Sequence, residues 1–308
     1  MFAGKGGVGK TTCAAASALH LAETQPKRRF LLVSADPAHS LADVLEARVG
    51  DPPRRVAGLG NLDVRELDPA GALEPIRTRY TASVDKMFDR ILRGSAIDAT
   101  HDRRVMRDLF DFAPPGLDEL AAVLELVDLL GDARSPRRYD VVVMDTAPTG
   151  HAVRLLQMPE TVQGWTKALM RILLKYQPLA GLGDLGAALL QLSRGLGRLR
   201  AMLANPMEAQ LVVVTRAAAL PRHETARLLG TLHRLEISVP AVIVNAVGGG
   251  DCTRCRASTR QELRETESLI QLARARSGQV AVIGAPAAVP PPAGVRALGA
   301  WRRRWRAL

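Results

Sequence analysis

Lysine and aromatic residues are scarce in this 308-residue chain. Aromatic residues make up only 4% of it, and no basic run is interleaved with aromatic side chains, as stacking against nucleic-acid bases would favour. The net charge of +11 comes from 36 arginines and six lysines against 31 acidic residues. Such a charge suits nucleic acid or an anionic membrane surface. We favour a bias towards arginine with solvated side chains instead, and we expect no nucleic-acid partner.

Cysteine and long apolar runs are scarce as well. Three cysteines are an odd and small number for a secreted disulfide framework. No run of 18 uncharged apolar residues occurs, so the sequence predicts no membrane-spanning helix. No signal peptide precedes the first glycines. We therefore expect a cytoplasmic protein, and peripheral association with a membrane stays open.

Two of the six lysines lie in a glycine-rich segment at the start of the chain. Residues 4–11 fit the phosphate-loop pattern G-x-x-x-x-G-K-[ST]. Glycines let successive N–H groups turn towards phosphate oxygens. The pattern predicts that Lys10 contacts the β- and γ-phosphates of ATP and that the Thr11 hydroxyl binds Mg²⁺. The predicted nucleotide-binding residues here are Gly4, Lys5, Gly6, Gly7, Val8, Gly9, Lys10, Thr11 and Thr12.

Only three residues precede this loop, so the first strand is either short or begins upstream of Met1, and we favour the second.

Five short apolar runs predict buried parallel strands. They cover residues 30–35, 140–145, 210–215, 239–245 and 279–284. Helical patterns separate them, notably over 222–235 and 257–276. This alternation predicts an α/β fold with a doubly wound, mostly parallel sheet.

Two long stretches do not fit the alternation. Residues of about 69–134 and 155–207 are helical in pattern and rich in Leu, Ala and Met. We therefore predict one ATPase domain over 1–308 with an inserted helical subdomain. The methionines of the second stretch suit an adaptable apolar binding surface, although a stripe of Leu and Met is more commonly core. A last helix is predicted over 295–308, with its apolar face in the core rather than on a membrane.

Two of the predicted strands are followed or ended by an aspartate. In a parallel sheet, both carboxylates reach the edge that carries the phosphate loop. Asp145 is predicted to hold Mg²⁺ through water. Asp36 is predicted to orient and deprotonate the water that attacks the γ-phosphate.

Together these motifs resemble the ArsA/Get3 ATPases. The resemblance is carried by GKGGVGKTT (4–12), DPAHSLAD (36–43) and DTAPTGHAVRLL (145–156), and shorter segments continue it to residue 301. It implies a Mg²⁺-dependent ATPase that acts as a homodimer, with switch regions over Asp36–Asp43 and Asp145–Arg154. It also implies that Lys5 is a catalytic lysine, beside Lys10 and Asp36, that reaches the nucleotide of the partner subunit. By the same resemblance, Asn245 and the loop Pro286–Pro292 contact adenine.

Cys252 and Cys255 form a CxxC pair in the connection after residue 247. Structural zinc takes four ligands, and one such pair supplies only two thiolates. The resemblance to the Get3 branch implies that two copies meet at the dimer interface and share one Zn²⁺. A redox-active dithiol and an unliganded pair are the alternatives. Cys13 is predicted to be a small buried apolar residue.

The resemblance favours a homodimeric ATP-driven switch that binds and delivers hydrophobic, tail-anchored membrane proteins, with a membrane receptor as a further partner. The alternative is the ATPase subunit of an arsenite or anion efflux pump. The single nucleotide core, and the lack of cysteine in both helical stretches, count against stimulation by metalloids. A partition-type positioning ATPase shares the phosphate loop but fits the other motifs less well. The intact Lys10, Thr11, Asp36 and Asp145 argue against a non-catalytic nucleotide-binding module.

Overall fold

The chain folds into two compact units, which are described separately below. The computed structural model describes residues 1–35, 40–94, 100–108, 116–130, 139–146, 158, 161–171, 174, 183–248, 256–277 and 280–308. The first unit, the sheet unit, comprises Met1–Leu67, Leu129–Arg154 and Met202–Leu308. The second, the helical unit, comprises Asp68–Asp128 and Leu155–Ala201. That the two units act together as one ATPase domain stays a prediction.

The sheet unit is built on one sheet whose described strands number nine. In chain order they are β1 (Phe2–Ala3), β2 (Phe30–Ser34), β3 (Arg54–Arg55), β4 (Leu62–Glu66), β5 (Val141–Asp145), β6 (Val212–Arg216), β7 (Ala241–Val247), β8 (Ala281–Pro286) and β9 (Arg306–Ala307). Their order across the sheet is β3-β4-β2-β5-β1-β6-β7-β8-β9. The seven inner strands are parallel, and the two edge strands β3 and β9 are antiparallel to their neighbours. This arrangement confirms the predicted α/β fold with a mostly parallel sheet.

Helices alternate with these strands and cover the sheet. They are α1 (Lys10–Thr24), α2 (Ser40–Leu45), α8 (Ala219–Arg234), α9 (Arg256–Ser277) and α10 (Gly294–Arg302) in the sheet unit. Helix α1 is the first helix after β1, and its alanines are buried together with Cys13 and Leu19. Small side chains let this helix lie close to the sheet. All five residues of β2 are buried, as expected for a strand between two parallel neighbours.

The five predicted strands are confirmed, with bounds shifted by at most two residues. The predicted last helix over 295–308 is wrong in its second half, because α10 ends at Arg302. The chain then turns, and β9 pairs with β8, with the Leu308 N–H donating to the Val282 carbonyl at 2.9 Å. Pairing along the open edge of β8 satisfies backbone groups that a continued helix would leave unpaired at that edge.

The helical unit contains α3 (Pro69–Gly94), α4 (Thr100–Asp108), α5 (Leu117–Leu129), α6 (residues 161–171) and α7 (Gly183–Ala204). Its buried side chains include Phe88, Leu120 and Leu169. The Tyr80 hydroxyl donates to the Met106 carbonyl at 2.7 Å and ties α3 to α4. Within the described parts of both units, we find no helix with the length and hydropathy needed to cross a bilayer.

Candidate nucleotide-binding site

The predicted phosphate loop connects β1 to α1, and its first glycine touches the sheet. A Cβ atom on Gly4 would overlap the carbonyl oxygen of Val214 in β6. Gly7 and Gly9 adopt φ angles of +75° and +91°, in the region that favours glycine. Both the close approach and the positive φ angles explain why glycines stand at these positions.

The two lysines of the loop differ in exposure. The side chain of Lys10 is buried, with only 5% of its surface exposed, and its Nζ atom lies 3.5 Å from the Lys5 carbonyl oxygen. The Lys5 side chain is half-buried. A buried ammonium that points back along the loop suits the phosphate contact predicted for Lys10. The predicted roles of both lysines in catalysis stay predictions.

Thr11 and Asp145 are hydrogen-bonded to each other at the carboxyl edge of the sheet, although they lie 134 positions apart in sequence. The Thr11 hydroxyl donates to Asp145 Oδ2 at 2.6 Å, and the Ser34 hydroxyl lies 3.5 Å from the same oxygen. Asp145 is fully buried. Hard divalent cations prefer oxygen ligands, so a hydroxyl and a carboxylate held side by side fit Mg²⁺. The motifs predicted both residues but not Ser34, whose only sequence signal is its place at the end of β2.

Asp36 and the three residues after it lie outside the described residues. Ser34, two positions before Asp36 in sequence, is the register partner of Asp145 where β2 pairs with β5. The Ala35 N–H also donates to the Asp145 carbonyl at 2.9 Å. The strand that precedes Asp36 therefore ends at the same sheet edge as Thr11 and Asp145, whereas the role of Asp36 stays a prediction.

Thr146 is hydrogen-bonded to β1. It is the last described residue at the start of the predicted switch region 145–154. Its hydroxyl and its N–H both donate to the Phe2 carbonyl, at 2.8 Å and 3.2 Å. The side chain is buried. Residues 147–154 of the predicted switch lie outside the described residues. The start of the switch is thus bonded to the strand that carries the phosphate loop, a contact that the motif analysis missed.

The two predicted adenine-contacting positions lie at the ends of β7 and β8. Asn245 donates from Nδ2 to the Val8 carbonyl at 2.7 Å, so its side chain touches the phosphate loop. The Pro286 carbonyl accepts a hydrogen bond of 2.8 Å from Trp301 Nε1. Both strands end at the carboxyl edge where α/β sheets bind ligands. The contacts of Asn245 and Pro286 with adenine stay predictions.

The predicted zinc ligands Cys252 and Cys255 lie outside the described residues. Among the residues that the structure does describe, no group of three or more His, Cys, Asp or Glu side chains could hold a metal ion. Cys13 is fully buried in α1, as predicted. Burial, with the nearby charge of Asp145, raises the pKa of its thiol well above the usual range. Cys13 is therefore an unreactive core residue.

Comparison with known proteins agrees with this geometry. The family model described as Anion-transporting ATPase matches residues 1–273. ATPase GET3 of Lachancea thermotolerans is 31% identical over 286 residues, which cover 87% of this chain and 79% of that protein. ATPase GET3 of Zygosaccharomyces rouxii is 31% identical over 290 residues, with the same coverage. ATPase GET3 of Kluyveromyces lactis is 30% identical over 286 residues. With the phosphate loop and its paired Thr11 and Asp145, these matches establish that the chain belongs to the ArsA/Get3 family and is an ATPase.

Proposed function

We propose that this ATPase is a cytoplasmic homodimer that couples ATP hydrolysis to the binding and delivery of hydrophobic, tail-anchored membrane proteins. The observation that carries the proposal is the similarity to the GET3 ATPases, and exposed large apolar side chains on the helical unit offer a candidate surface for the client. They are Ile76 (37% exposed), Val105 (44%), Leu174 (47%) and Leu190 (48%). Each comes from a different helical segment, so several parts of the unit present apolar surface. Contiguous apolar patches, rather than single side chains, mark sites that bind apolar partners, so the proposal requires that these side chains contribute to one surface.

The methionines narrow this proposal. Met158 is buried with 4% exposed, and Met207, with 89% exposed, belongs to the sheet unit. Met170 and Met202 are half-buried, so the described methionines add little exposed surface to the helical unit. The large exposed apolar side chains described on this unit are aliphatic, which suits the aliphatic residues of a membrane-spanning segment.

Hydrolysis follows from the residues at the sheet edge. Lys10 reaches the β- and γ-phosphates, and α1 directs its N-terminal N–H groups at the same charge. Thr11, and Asp145 through water, would hold Mg²⁺, which would neutralise phosphate charge when it is bound with ATP. Asp36 orients the attacking water and accepts its proton. The water oxygen bonds to the γ-phosphorus as the bond from that phosphorus to the bridging oxygen breaks, and ADP and inorganic phosphate leave.

The dimer uses Lys5 and the CxxC pair. Lys5 is half-buried on the loop and extends to the nucleotide of the partner subunit. The connection that carries Cys252 and Cys255 begins at Gly248, whose N–H donates to Glu262 Oε2 of α9 at 3.2 Å. One CxxC pair supplies only two thiolates, so we propose that both copies present theirs to one shared Zn²⁺.

An anion-efflux ATPase is the second candidate, favoured by the description of the family model. The two proposals differ in what stimulates hydrolysis. Besides the CxxC pair, the sequence contains only Cys13, which is buried in α1. We therefore expect that arsenite leaves the ATPase rate of the purified protein unchanged, and stimulation by arsenite would favour the efflux function.

The test of delivery uses a reporter protein with one C-terminal membrane-spanning segment, made in a cell-free system with the purified ATPase. We expect a soluble complex that releases the reporter to lipid vesicles only when ATP is hydrolysed. Leu190→Asp should weaken capture of the reporter. Leu263→Asp is the matched control, because Leu263 is a similarly exposed leucine (57%) on α9 of the sheet unit. Equal capture by both variants, or capture of a reporter whose segment carries two arginines, would contradict the proposal.

A further inference from the structure

The side chain of Asn245 joins the end of strand β7 to the phosphate loop. Its Nδ2 atom lies 2.7 Å from the carbonyl oxygen of Val8, and its Oδ1 atom lies 2.7 Å from the backbone N of Ala246. A carbonyl only accepts hydrogen bonds and a backbone N–H only donates, so these two neighbours define the orientation of the amide. The side chain is thus held through both of its polar atoms.

Gly9 makes room for this contact. A Cβ atom at position 9 would overlap Asn245 Nδ2, and Gly9 also adopts a φ of +91°. Two independent requirements therefore exclude a side chain there. The Gly9 carbonyl accepts from the Cys13 N–H at 3.0 Å, in the first turn of α1. The Asn245 amide consequently holds the point where the loop becomes a helix, and the N–H groups that follow are those that face phosphate.

The two ends of the loop are held by neighbouring strands. Gly4, at the beginning, lies against the Val214 carbonyl of β6, and Val8, near the end, is bonded to Asn245 of β7. These strands pair directly, with Arg216 opposite Asn245. The backbone beyond Asn245 is unusual, because Ala246 has a φ of +56°, which is uncommon for a residue with a side chain. The hydrogen bond from the Ala246 N–H to Asn245 Oδ1 stabilises this backbone conformation.

We propose that Asn245 is a positioning residue for the phosphate loop. It holds the Val8 carbonyl, and with it the last turn of the loop, so that the backbone N–H groups are oriented for the phosphates of ATP. An amide has a second N–H and a second acceptor position, so this role is compatible with a contact to the base. Positioning of the loop and contact with the base predict different effects of an Asn245 substitution on the affinity for a ligand that has phosphates but no base.

Inorganic tripolyphosphate with Mg²⁺ is such a ligand. Asn245→Ala removes both hydrogen bonds and adds no charge. We expect this variant to bind Mg²⁺–tripolyphosphate and Mg²⁺–ATP about tenfold more weakly than the wild type, in calorimetric titrations. If Asn245 contacts only the base, affinity for ATP falls and affinity for tripolyphosphate does not change. That result, or unchanged affinity for both ligands, would overturn the proposal.

A second variant replaces the hydrogen bond to Val8 with a repulsive contact and also adds a negative charge near the phosphate loop. Asn245→Asp keeps an oxygen for the Ala246 N–H but places a carboxylate oxygen against the Val8 carbonyl, so we expect it to lose affinity for both ligands as well. Asn205→Asp is the matched control. Asn205 lies in the turn before β6, at the opposite end of that strand from the phosphate loop, and its Oδ1 accepts from the Met207 N–H at 3.0 Å. The control should bind both ligands as the wild type does. If neither Asn245 variant folds by circular dichroism, Asn245 is needed for the fold rather than for loop geometry, and the proposal is wrong.

Discussion

Replacing Thr11 with valine tests the bond at the centre of the site. Valine has nearly the same shape as threonine but no hydroxyl, so the substitution removes the donor to Asp145 Oδ2 at 2.6 Å. A separation of this length is typical of a hydroxyl that donates to an ionised carboxylate. Hydrogen bonds to charged groups contribute about 1.5–3 kcal/mol. Asp145 is fully buried, which raises the cost of losing a donor, while the Ser34 hydroxyl at 3.5 Å offers partial replacement.

We therefore expect Thr11→Val to lower the free energy of unfolding, measured in urea without nucleotide, by about 2 kcal/mol. Thr11→Ser keeps the hydroxyl and is the matched control, with a smaller loss. Hydrolysis of Mg²⁺–ATP should fall by a factor of about 100 in Thr11→Val, because loss of a metal-binding group costs at least as much as loss of its supporting contacts. The serine variant should keep most of its activity.

A double-mutant cycle with Asp145→Ala separates the effect of this bond from the other effects of each substitution. The two substitutions should be less than additive, with a coupling of about 1–2 kcal/mol, because both remove the same contact. If Thr11→Val is as stable as the wild type, or if the two substitutions add without coupling, the hydrogen bond does not stabilise the protein and the reasoning is refuted.

Four further predictions concern catalysis, the dimer and the helical unit. Asp36→Asn should bind ATP but lose turnover, because the water is no longer positioned while the phosphate loop is intact; continued phosphate release would remove Asp36 from this role. Mixing Lys5→Ala subunits with Asp36→Asn subunits should restore one active site per mixed dimer. No recovery of hydrolysis in verified mixed dimers would place Lys5 at its own subunit's nucleotide. Cys252→Ser should release the one Zn²⁺ expected per dimer and weaken the dimer, with ATP affinity little changed; elemental analysis that finds no zinc in reduced wild-type protein would argue for a disulfide instead. A hydrogen bond from Arg107 lowers the pKa of Asp85 below its ordinary 3.8, so the stability from this pair is present above that pH and is lost as the pH falls through the lower folded pKa. Asp85→Asn should therefore show a shallower loss of unfolding midpoint in acid than the wild type, and parallel pH curves would contradict this.

Most of the sheet could be predicted from the sequence because the inner parts of its parallel strands are buried runs of apolar residues. Strand β4 was missed because charged residues occupy three of its five positions. They are tolerated there because tertiary partners pair with them. Arg65 is bonded to Asp51 at 2.9 Å, and Glu66 accepts from the Ala42 N–H at 3.3 Å. No local pattern distinguishes such a strand from an exposed segment.

The site was predictable where residues act through a short motif and not where they act through distant contacts. The phosphate loop and the strand-end acids follow fixed spacings, so Thr11 and Asp145 could be named in advance. The hydrogen bond from Asn245 to Val8 joins residues 237 positions apart, and the bond from Thr146 to Phe2 joins residues 144 apart. These contacts depend on the strand order, which hydrophobic patterns alone do not determine.

The two edge strands of the sheet, β3 and β9, affect how readily the protein aggregates. An open edge of parallel strands exposes unpaired N–H and C=O groups that can pair with another chain and begin aggregation. Here both edges finish in two-residue antiparallel strands, Arg54–Arg55 and Arg306–Ala307, whose residues are exposed. Short strands that carry positive charge make poor templates for a further strand. Arg55 is paired with Asp63, so Arg54 and Arg306 carry the positive charge that disfavours pairing of one sheet with another.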